Sequence, residues 1–140
     1  MGQKGARCIY ACTAPDEETR NKILQRLRKA NVLEKITVVT LRGDHASLDL
    51  APEVSAEAVT VCGTACALAE AWAMNDGIDC CVIVDNLSSH KELWEHSSRT
   101  LVDMYGEEAI VQDDRGASSE MRAYYSSLIQ RSAQYNEKNG

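Results

Sequence analysis

Hydrophobic and polar positions along this chain follow two rhythms. Three short apolar or β-branched runs read as strands: Arg7-Cys8-Ile9-Tyr10-Ala11-Cys12, Ile36-Thr37-Val38-Val39-Thr40-Leu41 and Cys80-Cys81-Val82-Ile83-Val84-Asp85. The third is apolar until its final acid, which predicts burial on both faces. Between the first two, Ile23, Leu24, Leu27 and Ala30 recur at helical spacing, with Arg20, Lys22, Arg26 and Lys29 expected to face solvent. Thr13 or Asp16 is the candidate cap of that helix, Pro15 suits its first turn, and Asn31 is a plausible stop. Residues 42–55 hold Gly43 and Pro52 and read as a loop. A long helix rich in small residues is expected over 56–75, ended by Asp76-Gly77. Leu93, Trp94, Leu101 and Met104 mark another over 87–105, and a final amphipathic helix is expected over 120–134.

This β-α-β-α-β-α-α order predicts an α/β domain, with a small parallel sheet of about three strands joined by helical crossovers. One domain is expected over residues 1–140, with an acidic irregular segment at about 106–119 and a polar tail at about 135–140. Apolar residues make up 44% and charged residues 26%, which is ordinary for a globular chain. No apolar run reaches the ~18–20 residues of a membrane span. Residues 1–20 turn polar and acidic after Ile9-Tyr10, unlike a secretory signal. A net charge of −6 argues against a nucleic-acid partner.

The six cysteines fall as Cys8 and Cys12, Cys62 and Cys66, and the adjacent Cys80 and Cys81. The C-x₃-C spacing invites a zinc reading. Both such pairs lie on expected strands or helices rather than in knuckle turns, and free Cys packs as a small hydrophobe. Core packing is therefore expected, with no metal site, in a reducing compartment. His45, His90 and His96 all sit in polar stretches, and His90 and His96 do not share a helix face. Glu107, Glu108, Asp113 and Asp114 lack the order of a calcium loop.

Candidate chemistry concentrates at Asp85-Asn86. An apolar strand delivering Asp at its carboxyl end is how P-loop NTPases place an acid beside Mg²⁺. The companion motif G-x-x-x-x-G-K-[ST] appears nowhere in the 140 residues; the near miss at Gly2-Gln3-Lys4-Gly5 lacks a preceding strand and a following Ser or Thr. Asp85 and Asn86, with Ser88, are therefore expected to end the strand and cap the next helix.

Ala69-Glu70, Asn75-Asp76-Gly77, Asp79 and Val82-Ile83-Val84-Asp85-Asn86-Leu87-Ser88 together resemble the Walker B region of RecA-type NTPases of the rotary ATPase branch. Cys8-Ile9-Tyr10, Ile23-Leu24-Gln25-Arg26-Leu27, Ala30-Asn31 and Ile36 to Val39 are similar to the strand, helix and strand of ATP synthase alpha subunits. Leu50-Ala51-Pro52 and Ser126 to Ala133 extend the resemblance in the same order. It implies a truncated RecA-like P-loop NTPase core, with a degenerate nucleotide or metal site at Asp85 and Asn86. Pro15 stands where the family has Gln or the catalytic Glu. The acidic segment replaces an expected Pro-Pro-Gly-Arg-Glu element.

The expected function is accordingly a non-catalytic structural or interaction subunit, a pseudo-ATPase within a mitochondrial ATP synthase or another large assembly. A cytoplasmic location is the other option. The edge of the Cys80–Asp85 strand is expected to be covered by a protein partner such as another ATP synthase subunit, by a second copy, or by the chain's own terminal segment. No cofactor is expected beyond residual ATP and Mg²⁺ binding. The alternatives are a nucleotide-binding regulatory module and a small thiol enzyme.

Overall fold

A computed structural model describes residues 5–43, 52–109 and 119–132. His45, Leu50-Ala51, the Gly2–Lys4 part of the near miss, residues 110–118 of the acidic segment and the polar tail lie outside the described residues. In chain order the elements are β1 (Arg7–Cys12), α1 (Glu17–Lys29), β2 (Ile36–Thr40), α2 (Pro52–Asp76), β3 (Cys80–Asp85), α3 (Ser88–Tyr105) and α4 (Ser119–Gln130), with short 3₁₀ turns at Leu33–Lys35 and Glu107–Ala109. The strands form one parallel sheet in the order β2-β1-β3. This is the expected α/β class, and it is consistent with a truncated RecA-like core.

Local chemistry accounts for the element ends. Asp16 caps α1 by accepting from the Thr19 N–H at 2.6 Å, so Pro15 precedes the cap rather than entering the first turn. Asn31 takes the left-handed conformation (φ 54°) just past the helix. Pro52 opens α2 instead of lying in a loop, and the helix starts four residues earlier than its small-residue pattern suggested. Proline at a first helical position gives up an N–H that had no intrahelical partner. Gly77 (φ 60°) ends α2.

The strand order reverses direction between the two crossovers, so a right-handed connection at each step puts α1 and α2 on opposite faces of the sheet. The core lies on the α2 face. Ile9, Ala11 and Leu41 are buried there against Val54, Ala58, Val61, Ala65 and Ala69, with Val39, Val82 and Val84 packed alongside. Burying a residue such as Ile9 contributes about 2–3 kcal/mol. By length and composition α2 is apolar enough to cross a membrane, contrary to the estimate from apolar runs. In the fold its apolar side packs on the sheet.

Strand β3 departs from expectation. It is half-buried at Cys80, Val82 and Val84 but exposed at Cys81, Ile83 and Asp85, so only one face is covered. Ile83 is 45% exposed. An uninterrupted apolar run looks the same whether one face or two are covered, and here no described element packs over the β3 side of the second face.

Candidate functional site at the carboxyl ends of β1 and β3

Parallel pairing brings the carboxyl ends of β1 and β3 together, with Cys12 in register with Asp85. The chain leaves β1 through Thr13, whose N–H donates to the Asp85 carbonyl at 2.8 Å. The Thr13 hydroxyl accepts from the Asn86 N–H at 2.8 Å and lies 3.1 and 3.0 Å from the Asp85 and Asn86 carbonyls, to which it donates. One buried hydroxyl thus ties together the two strand exits, across a cis Asp85–Asn86 peptide.

The side chains of the two predicted site residues diverge. Tyr10 of the neighbouring strand β1, on the same sheet face, donates its hydroxyl to Asp85 Oδ2. Burial and that hydrogen bond push the Tyr10 hydroxyl well above the usual phenol range. The Asn86 side-chain oxygen instead turns along the chain and accepts from the Ser88 N–H at 2.9 Å. It thereby satisfies one of the orphan donors at the start of α3. The formal cap position, Leu87, makes no side-chain cap bond.

Arg20 shapes the same region and escaped the sequence reading. Expected to face solvent, it is 7% exposed. Its guanidinium donates to the Ala14 and Pro15 carbonyls at 2.9 and 2.7 Å and to the Gly43 carbonyl. The turn over 13–16, which carries Thr13 and Pro15, is thus held from behind by a fixed cation. Helical spacing alone gave no sign of this, because Arg20 points back toward the turn that precedes α1.

His90 is a second correction. Placed by sequence in polar surroundings, it is 6% exposed, with its ring 5.3 Å from Tyr124 and 6.5 Å from Tyr125. Neither ring nitrogen has a partner among the described residues, and burial lowers its pKa. The histidine packs as an aromatic between α3 and α4. Two serines and a lysine beside it in sequence concealed that.

As a cation site the strand exits are incomplete. Asp85 is one exposed carboxylate already engaged by Tyr10, the Thr13 hydroxyl is spent on backbone, and Asn86 is turned to α3. Among the described residues no three His, Cys, Asp or Glu side chains converge in a ligand set. Magnesium sites in phosphoryl transfer rely on phosphate oxygens held by loop amides and a lysine, as well as on the acid. The residues described here do not fit that group.

The chain is similar to ATP synthase alpha subunits. It is 32% identical to ATP synthase subunit alpha 1 of Legionella pneumophila strain Corby over 117 residues, covering 81% of this chain and 22% of that protein. Identity to ATP synthase subunit alpha of Ehrlichia ruminantium strain Gardel is 31%, covering 95% of this chain and 23% of the relative. The corresponding subunit of Mesoplasma florum is 30% identical, with 100% of this chain and 24% of the relative covered. The chain thus spans 22–24% of the length of these curated relatives. No family model matches it.

Proposed function

We propose that this chain is a non-catalytic interaction module related to the ATP synthase alpha subunit, acting within an ATP-synthase-type or similarly large assembly. The observation that carries the reading is the open edge of β3. Arg7 donates to the Asp79 carbonyl and Thr13 to the Asp85 carbonyl, so the odd-numbered residues of β3 turn their backbone toward β1. By the two-residue period, the N–H and C=O groups of Cys80, Val82 and Val84 point away from the sheet. A groove of about 760 Å³ runs beside them, lined by Cys66, Ala73, Ile78, Val82, Leu128 and Ile129. An apolar edge whose backbone groups have no partner strand among the described residues favours addition of a strand from a partner or a second copy.

Catalysis is not part of this reading, because Asp85 is committed to Tyr10 and Pro15 supplies no carboxylate to the neighbouring turn. The mitochondrion is the compartment it assigns, with the cytoplasm as the alternative that fractionation tests. Size-exclusion chromatography with light scattering, on the chain alone and in native extract, is the primary experiment. The expected mass exceeds the 15.4 kDa of one chain. Val82→Pro, which removes an outward-facing donor while leaving the β1 ladder intact, is expected to return the chain to a monomer. A monomer in every condition overturns the proposal.

A second reading, a regulatory nucleotide-binding module, rests on the exposed Asp85 at the carboxyl ends of parallel strands, where α/β sheets commonly hold ligands. Calorimetric titration with ATP and Mg²⁺ separates the two. The leading reading expects no binding heat.

A further inference from the structure

The β1–β3 register pairs Cys8 with Cys81, two residues separated by about half of the chain. Both side chains project from the face opposite α2, as do Tyr10 and Asp85, whose hydrogen bond fixes that face. Cys8 is half-buried and Cys81 is the exposed member of the six cysteines. Burial, and after it the charge and hydrogen bond of the nearby Cys81 thiol, raise the Cys8 pKa. Cys80 is excluded from the pair, because it lies on the α2 face with its thiol donating to the Ile78 carbonyl at 3.4 Å. Cys12 and Cys62 are buried, and burial pushes Cys62 up to about 11.

We propose that Cys8 and Cys81 form a redox-active dithiol on the open sheet face, oxidised to an intrachain disulfide by low-molecular-weight disulfides of the glutathione class. The Cys81 thiolate attacks one sulfur of the small disulfide, whose S–S bond breaks to release one small thiolate. The sulfur of Cys81 is then held in a mixed disulfide. Cys8 gives its proton to solvent base and attacks Cys81 Sγ, forming the Cys8–Cys81 bond and releasing the second small thiolate. Two protein thiols lose two electrons and two protons, and one small disulfide becomes two small thiols.

The geometry suits a reversible bond. Neighbouring strands lie about 4.8 Å apart, within the Cα separations of about 4.4–6.8 Å that disulfides span. In-register Cβ atoms on parallel strands start at about that same spacing, wider than the ~3.8 Å a relaxed disulfide prefers. Closing the bond pulls the edge strand onto β1, and a bond made under such strain is readily reduced. The inference stands on the register and exposure alone and does not depend on the interaction reading.

The test is equilibration of the full chain with oxidised and reduced glutathione, followed by acid quench, intact mass and non-reducing digestion, with fragmentation between Cys80 and Cys81. The expected product is lighter by two hydrogens, carries no adduct and contains one crosslink, Cys8 to Cys81. Cys8→Ser is expected to trap a stable glutathione adduct on Cys81, and Cys80→Ser to leave the crosslink unchanged. A stable adduct on Cys81 of the unmodified chain overturns the proposal. So does a crosslink through Cys80 or between two chains, or a chain that stays fully reduced in excess oxidised glutathione.

Discussion

Replacing Arg20 tests how the strand exits are held. Its guanidinium donates to three carbonyls, those of Ala14, Pro15 and Gly43, from a side chain with 7% exposure. Arg20→Met keeps most of the packing stem and removes all three charge-assisted bonds. Each such bond has a net worth of about 1.5–3 kcal/mol when fully buried. The three acceptors lie in half-buried or exposed residues, so water recovers part of the loss. A cost of about 3 kcal/mol is the resulting expectation, or a fall of roughly 10 °C in Tm for a domain of this size. Arg20→Lys, with one compact donor group in place of the planar fork, is expected to cost about half as much. Arg26→Met is the control, because Arg26 is exposed on the same helix and its loss is expected to stay within about 0.5 kcal/mol. Urea unfolding followed by far-ultraviolet circular dichroism gives all three values. Equal costs for Arg20→Met and Arg26→Met would refute the reasoning.

Two further predictions concern α4. Arg131 clamps Glu70 of α2 through two bonds, at 2.6 and 2.9 Å, and that hydrogen bonding holds the Glu70 carboxyl below its usual range. Both partners are partly exposed, so Arg131→Ala is expected to cost about 1 kcal/mol at neutral pH. Because the folded pKa is depressed, the contribution is present above the unfolded carboxyl value of about 4.3 and disappears as pH falls through the folded one. Hydrogen exchange should show the loss in α4 while β1 is unchanged. For His90 the lowered pKa means that stability is full above about 6.5, the unfolded value, and declines as pH falls below it. Tyr124 and Tyr125 of α4 pack against this ring, and the buried Glu92 Oε2 belongs to its own helix. His90→Leu is expected to remove this part of the pH dependence and to stabilise by about 1 kcal/mol at neutral pH, measured by urea unfolding at paired pH values.

The strands were legible because each combines β-branched or apolar residues with a clear stop. Arg7–Cys12 and Cys80–Asp85 match the sequence reading, and β2 ends one residue short, leaving Leu41 to be buried beyond it. Helix ends were less legible. Pro52 reads equally as loop or helix start, and only the packing of Val54 and Ser55 decides it. The juxtaposition of Asp85 with Asn86 followed from chain neighbours, whereas Tyr10, Thr13 and Arg20 joined them through register and turn geometry. A one-dimensional pattern carries neither. The same limit hid the Cys8–Cys81 pairing behind the more visible Cys80-Cys81 doublet, whose members face opposite sides of the sheet. His90 was misjudged because its burial comes from α4, which lies far along the chain.

The β3 edge, which no other described strand covers, links fold to function in this account, and its outward-facing amides are directly measurable. The most direct test is residue-resolved amide hydrogen exchange at Val82 and Val84, with Ile83 as the internal reference because its backbone faces β1. The account predicts that Val82 and Val84 are protected to the same extent as Ile83 in the associated particle, and that Val82→Pro removes the protection at Val84. Rapid exchange at Val82 and Val84 beside a protected Ile83, in a particle of monomer mass, would contradict it.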